Sequence, residues 1–384
     1  MKKQTNIPTL RFPKFKGEWE KKTLGEVTSK IGDGLHGTPI YSSNTGFYFI
    51  NGNNLINGVI CINENTKEVD YDIFKGNDKS LNDNTILMSI NGTIGNLAKY
   101  KGEKVMLGKS IAYFNFKENN NFYYFLLQTD KVQNYFIAEL TGSTIKNLSL
   151  KTLREAELNL PTLPEQQKIA SFLSLVDKKI TQLNQKKKLL QAYKKGLMQK
   201  LFSQELRFKD ENGNEFEEWE IKTLGEVAEK KSSNIAANKI ENNFGDYIIY
   251  GASGVLKKVD FYMEEADYIS IVKDGAGVGR LFYCLGKSSV LGTMEIIKPK
   301  TGINTYFIYC LLNNIDFVKY VTGSTIPHIY FKNYSNEICG IPCLAEQNKI
   351  ANFLSILDEK INHCSKEIAI NETFKKGLLQ QLFC

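Results

Sequence analysis

One segment occurs twice in this chain of 384 residues, and the distance between its copies limits what the chain can fold into. "LPEQQKIASFLSLVDKKI" at 163–180 returns as "LAEQNKIANFLSILDEKI" at 344–361, identical at 12 of 18 positions and displaced by 181 residues. Solenoid units usually run about 20–50 residues, so this period points to a duplicated, domain-sized module. "EWEKKTLGEV" at 18–27 recurs as "EWEIKTLGEV" at 218–227, an offset of 200. "TGSTIKNLS" at 141–149 matches "TGSTIPHIY" at 322–330, and "YKKGLMQKLF" at 193–202 matches "FKKGLLQQLF" at 374–383, both at 181. Similar edges therefore enclose dissimilar middles, the second shorter by 19 residues. That is the pattern of one scaffold presenting two different surfaces. "LRF" precedes the second module at 206–208 and the first at 10–12, so joining the two chain ends would complete a ring of equivalent units. The expectation is a pseudo-twofold, circular repeat with its ends close together.

The repeated edge reads as a helix. From Glu165 to Phe202 there is no proline, and Gly196 is the only glycine. Pro164 stands where a helix start tolerates it. Steps of four and three from Ile169 give Ile169, Leu173, Val176, Ile180, Leu183, Lys187, Leu190, Lys194, Leu197 and Leu201, eight of ten apolar. The second copy gives Ile350, Leu354, Leu357, Ile361, Cys364, Ile368, Asn371, Lys375, Leu378 and Leu382, again eight of ten with cysteine counted. A 3.5-residue period kept for about five heptads signals a coiled coil. An amphipathic helix lying on a globular core is the plainer reading, but at 1.5 Å per residue it would be about 57 Å long. Two copies in one chain supply an internal partner, and the circular repeat favours antiparallel packing. Residues 178–200 hold eight lysines and no acid, a basic face open to solvent, phosphate or a protein.

The expected organisation is a domain over 1–160, a helical region over 161–207, a second domain over 208–341 and a second helical region over 342–384. Both domains read as α/β. "FYFI", "TILMSI" and "IAYFNF" in the first, and "YIIYGASG", "DYISIVK" and "MEIIK" in the second, are short β-like runs between Asn/Gly/Asp turns. A helix follows in each, one carrying Phe122, Phe125, Leu126, Val132, Phe136, Ile137 and Leu140 on one face, the other around 304–321. No apolar run of 18 residues and no signal-like start occur, and seven irregularly spaced cysteines suit reduced thiols, so a cytoplasmic protein is expected. A net charge of +7 permits a nucleic-acid partner without requiring one.

Catalytic motifs fail on inspection. "GKS" at 108–110 follows Gly102 at the wrong spacing for a P-loop, and "DGAGVG" at 274–279 runs G-x-G-x-G into a strand-like "RLFYC". Cys339 and Cys343 lack partners at zinc-finger spacing, and the chain has three histidines, so no metal site is expected. What remains is binding chemistry. Each "TGST" follows a predicted helix, either as a glycine cap with hydroxyl caps after it or as a loop whose N–H groups and hydroxyls meet phosphate. On the second reading the candidate DNA contacts are Ser143, Thr144, Lys146, Ser324, Thr325, His328 and Lys332, with Asn91, Thr93, Lys109, Ser253, Lys273 and Arg280 from the glycine-rich turns and their surroundings.

Together the paired "KTLGEV" starts, the "TGSTI" segments, the repeated helical segments and "KKGLMQKLF"/"KKGLLQQLF" make the whole chain resemble a specificity subunit of a type I restriction–modification system. "DGLHGTPIY" followed by "FINGNNL" is similar to the same family and adds Thr38 and Tyr41 to the candidates. The resemblance implies two target-recognition domains that each read half of a split, asymmetric duplex site, separated by two helices in an antiparallel coiled coil. It implies docking of two methyltransferase subunits on the helical regions, restriction/translocase subunits joining through the complex, and no catalysis by this chain. S-adenosylmethionine, ATP and magnesium would belong to the partners. The sequence departs from the family's "LPEQ" pattern at Ala345, where a proline is expected at the second helix start. The competing reading is a coiled-coil scaffold with two protein- or glycan-binding domains.

Overall fold

The computed structural model describes residues 6–142 and 146–384. Contacts gather the chain into two units, one running to Leu183 and resuming at Glu367, the other continuous over Asn184–Lys366. In the first unit β1 (Thr28–Asp33), β2 (Thr85–Asn91), β3 (Thr93–Lys99) and β4 (Ile111–Phe116) form an antiparallel sheet in the order β1-β4-β2-β3. In the second, β5 (Ala228–Ser232), β6 (Tyr268–Val272), β7 (Leu281–Cys284) and β8 (Met294–Pro299) are ordered β5-β8-β6-β7, the same topology. The central strands β2, β4 and β6 are covered on both faces, which is why they read as continuous apolar runs rather than as an alternation. A parallel pair accompanies each sheet, Tyr48–Ile50 with Val105–Leu107 and Tyr247–Gly251 with Ser288–Val290.

The repeated "KTLGEV" has a local cause. Its threonine ends a two-stranded ribbon, Glu20–Thr23 with Glu157–Leu160 or Glu220–Thr223 with Ile338–Ile341, and caps a single helical turn. Glu26 and Glu226 close a capping box onto Thr23 and Thr223, accepting both the backbone N–H and the hydroxyl. The donated N–H holds each carboxyl below its usual range.

Helix α1 spans Leu163–Phe202 and α2 spans Leu344–Gln381. Both begin two residues before the glutamate of the repeated "EQ", so Ala345 starts its helix at the same place as Pro164. None of the twenty seam positions is exposed. In the first unit Ile169, Leu173 and Val176 share one apolar cluster with Leu378, Leu382, the sheet and the helices after it; in the second, Ile350, Leu354 and Leu357 do so with Leu201. Ile180, Leu183 and Ile361 are half-buried. Each unit thus pairs the beginning of one long helix with the end of the other, running antiparallel. Two of the polar seam residues fix the register: Lys375 meets Asp177 at 2.8 Å in the first unit, and Lys194 meets Asp358 at 2.6 Å in the second. A slip of one turn would draw each pair apart by about 5.4 Å. Asn371, also in the seam, turns its amide back to the Glu367 carbonyl at 2.7 Å.

The helix expected from Phe122 to Leu140 is two, Asn120–Leu126 and Asp130–Ala138, and Ile137 faces solvent. Thr129 breaks it: the residue is extended, heads the second helix, and bonds its hydroxyl to the Leu126 carbonyl. Likewise the segment around 304–321 is a helix over Thr305–Leu312 and a 3-10 turn over Phe317–Tyr320, with the Asp316 carboxylate accepting from Val318 N–H to start the turn.

The "LRF" segments perform one job in two ways. Leu206 N–H bonds the Lys200 carbonyl six residues earlier at 3.0 Å, while Leu10 N–H bonds the Gln381 carbonyl, at the far end of the chain, at 2.9 Å. Arg207 then forks onto the buried Glu346 at 2.9 and 3.3 Å, and Arg11 onto the buried Glu165 at 2.8 and 2.7 Å. Phe208 packs edge-on against Phe353, and Phe12 against Phe172. Trp219 adds its indole N–H to Glu346 at 3.0 Å, whereas the buried Trp19 indole N–H has no partner among the described residues.

Two outcomes are expected. Removing the buried carboxylate strands a guanidinium, so Glu346→Ala should lower stability by about 3 kcal/mol. Urea titration by tryptophan emission in a Trp19→Phe background, which leaves Trp219 alone, measures it in the second unit. Separately, residues 201–205 lie between Lys200 and Leu206, and joining Cys384 to Pro8 leaves the same five positions between Gln381 and Leu10. A permutant so joined and opened between Ser203 and Gln204 should fold with an unchanged circular-dichroism spectrum and thermal midpoint within a few degrees.

Candidate nucleic-acid interface

Antiparallel pairing decides which loops share an edge. Asp33 pairs with Ala112, Ser89 with Ile111, and Asn91 with Thr93, so β1 ends, β4 begins and β2 turns into β3 at one end of the first sheet. Ser232 pairs with Glu295, Val272 with Met294 and Ile271 with Leu281, which sets the same end in the second. In the first unit this end carries the loop after β1 with Thr38 and Tyr41, the turn before β4 with Lys109, and the β2–β3 tip with Asn91 and Thr93.

The loop after β1 is held at both ends. Leu35 N–H bonds the Leu107 carbonyl at 2.7 Å, next to the Lys109 turn. At its far side the N–H groups of Gly46 and Thr45 bind Glu68, which keeps that carboxyl below its ordinary range. Thr38 is exposed, as is Tyr41, whose ring leans on Phe49 at 6.1 Å. Lys109 is exposed too. Its neighbour Ser110 accepts from Ile90 N–H through its carbonyl at 2.9 Å, tying this turn to the β2–β3 tip.

The "TGST" loops return to the same tips. Thr141 and Asn147 exchange both backbone bonds, at 3.0 and 2.9 Å, and so close the first loop; Asn147 also pairs with Asn91, and Gly92 N–H reaches the Lys146 carbonyl at 3.3 Å. The second unit repeats this bond for bond. Thr322 and His328 close the loop at 2.9 and 2.8 Å, His328 pairs with Asp274, and Gly275 N–H reaches the Pro327 carbonyl at 2.8 Å. The two features singled out in the sequence, glycine turn and "TGST" loop, are thus one construction made twice. Gly323 is required in it: its φ is +88°, and a Cβ there would stand 2.4 Å from the Ile326 carbonyl oxygen.

Lys146 is exposed, while Ser143 and Thr144 lie outside the described residues. Ser324 and Thr325 are exposed on the second loop. Lys273 is half-buried, its N–H bonded to the Thr293 carbonyl and its carbonyl to Ile329 N–H, both at 3.0 Å. Arg280 closes the same turn and sends its guanidinium to the Ala252 carbonyl at 2.9 Å, which brings in the exposed Ser253 on the neighbouring hairpin. His328 bonds the Ile326 carbonyl through Nδ1 at 3.1 Å and meets the Tyr330 ring edge-on at 5.0 Å. Lys332 lies over that ring at 5.6 Å, on the short helix Phe331–Tyr334. The arrangement offers lysines and hydroxyls at one end of each sheet, with an arginine added in the second, chemistry suited to phosphate and base edges. Asn147 and Asp274 escaped the sequence reading; aligning the two "TGSTI" copies and the two glycine turns would have placed them opposite His328 and Asn91. Among the described residues no cluster of His, Cys, Asp and Glu could hold a metal, and no helix is long and apolar enough to cross a membrane.

A family model described as the type I restriction modification DNA specificity domain matches twice, over residues 16–192 and 216–372. The MjaIX specificity subunit of a type I restriction enzyme from Methanocaldococcus jannaschii is 27% identical over 68% of this chain and 68% of its own. The MjaVIII specificity subunit from the same organism is 26% identical over 79% of both chains. The crystal structure of a type I restriction–modification S subunit from M. genitalium shares the fold, with a TM-score of 0.66 at 20% identity over 98% of this chain and 99% of that one.

Replacing Gly323 should open the second loop without unfolding its unit. Gly323→Ala is expected to speed hydrogen exchange at Thr322 and His328 at least tenfold while β6 and β8 amides stay protected, as read by exchange mass spectrometry.

Proposed function

Since the chain belongs to the type I restriction–modification specificity family, we propose that its two units each read one half of a split, asymmetric site in duplex DNA. The observation that carries this is the twice-made loop cluster, with cations and hydroxyls at one end of a sheet whose frame is repeated and whose surface is not. Reading half-sites through different side chains on equivalent loops yields an asymmetric site from a duplicated scaffold. Lysines and loop hydroxyls set the position on phosphate, and the polar side chains at the tips meet base edges.

On this reading the long helices dock two methyltransferase subunits, and restriction subunits join through that complex. Methyl transfer with S-adenosylmethionine, and ATP- and magnesium-dependent cleavage, take place on the partners, while this chain supplies the address. The competing scaffold that binds protein or glycan predicts no dependence on phosphate charge.

The two are separated by filter binding of the chain to duplex DNA across a salt series. Log affinity is expected to fall steeply against log salt, and Lys109→Ala and Lys146→Ala should each reduce the slope by about 1. Binding that is weak and insensitive to salt would favour the scaffold.

A further inference from the structure

The equivalent tip positions hold different residues, Asn91 in the first unit and Asp274 in the second, each bridged by backbone to its "TGST" loop. Asp274 is unusual among the acids of its unit. Seven carboxylates there are buried or half-buried. Six have partners: Asp210 with Asn214, Glu264 with Lys231 and Lys298, Glu295 with Lys230, Glu337 with Lys319, Glu346 with Arg207, and Asp358 with Lys194. Asp274 is the seventh, and among the described residues nothing bonds or ion-pairs with its side chain. It stands in a turn whose other charged members are Lys273 and Arg280, on the face proposed to meet phosphate. A carboxylate there is repelled by phosphate and can only accept, so the group on DNA that it fits is an exocyclic amine.

We infer that the tip residues determine specificity: Asp274 accepts the N4 amine of a cytosine in the major groove, and Asn91 pairs with the N6/N7 edge of an adenine. The inference rests on the DNA-reading proposal and adds which base each tip selects. In the duplex the cytosine amine has guanine O6 on one side and only C5–H on the other, whereas the adenine amine lies between N7 and thymine O4, where a second carboxylate oxygen would face a lone pair on either side. An amide has a donor for that N7 and a carboxylate has none, so the two side chains choose differently from one position. Because both loops are closed by backbone bonds, exchanging these side chains leaves the frame in place.

The test uses the chain co-expressed with its methyltransferase subunits, with the methylated motif read genome-wide. Asp274→Asn should relax one G·C position of one half-site, or turn it toward A·T, with about 10- to 100-fold loss of discrimination. Asn91→Asp should do the reverse in the other half. A motif unchanged by both substitutions overturns the inference and leaves DNA reading intact, as does a wild-type motif in which either half lacks the required pair. A wild-type complex that methylates no bipartite motif overturns the underlying reading instead. Should the variants fail to assemble, the wild-type complex decides with duplexes in which single cytosines are replaced by 2-pyrimidinone, which lacks the amine. One position is expected to weaken binding about tenfold, and uniform binding at every position refutes the assignment.

Discussion

A buried carboxylate at the start of each long helix organises its unit. Glu165 and Glu346 lie in the first turns of α1 and α2, where the helix dipole favours negative charge, and each is forked by an arginine from an "LRF" segment. The same arginines bond the carbonyls of Gly17 and Glu217, just ahead of the tryptophans that enter the ribbons. Helix start, entering chain and ribbon are therefore held at one charged point. The neighbouring Gln166 and Gln347 extend the junction to the carbonyls of Pro161 and Pro342. Such a pair contributes geometry more than net stability, since its desolvation offsets much of the attraction. It acts beside the apolar clusters that seat each helix on its sheet, adding a directional tie where the chain enters the ribbon.

Much of this was legible before any coordinates. The offset of 181 residues announced two modules, and the seven-residue pattern announced paired helices, because each is a long-range regularity that no local preference can imitate. The breaks at Thr129 and around Asn313–Asp316 were not legible. Both are short polar stretches, Gln-Thr-Asp-Lys at 128–131 and Asn-Asn-Ile-Asp at 313–316, between apolar segments whose spacing reads as continuous. The Thr129 hydroxyl on the Leu126 carbonyl and the Asp316 cap on Val318 N–H outweighed the periodicity. Lys194 and Lys375 are legible in the sequence as polar positions in the seam, but their partners, Asp358 and Asp177, are distant in sequence and appear only once the helices are set antiparallel.

For the interface, the sequence offered residue types and turns but no reason for them to meet. Lys109, Asn91 and Lys146 come from three separate stretches, and it is the strand order that delivers them to one end of the sheet. In the sequence Asp274 is hidden because an aspartate beside a glycine reads as an ordinary turn. Its interest lies in the missing partner, which only packing reveals.

The two units differ in how they must be made. The second is one continuous stretch, whereas the first is assembled from the beginning of the chain and its last residues. Trp19 and Phe122 pack on Phe383, and Leu378, Leu379 and Leu382 complete the same cluster. During synthesis, therefore, the unit begun first is finished last. Its apolar groove stays open while the whole of the second unit is translated, a window of about 10–40 s at roughly 5–20 residues per second. In the nascent chain the cell must shield the older half, even as the younger one is already able to close on itself.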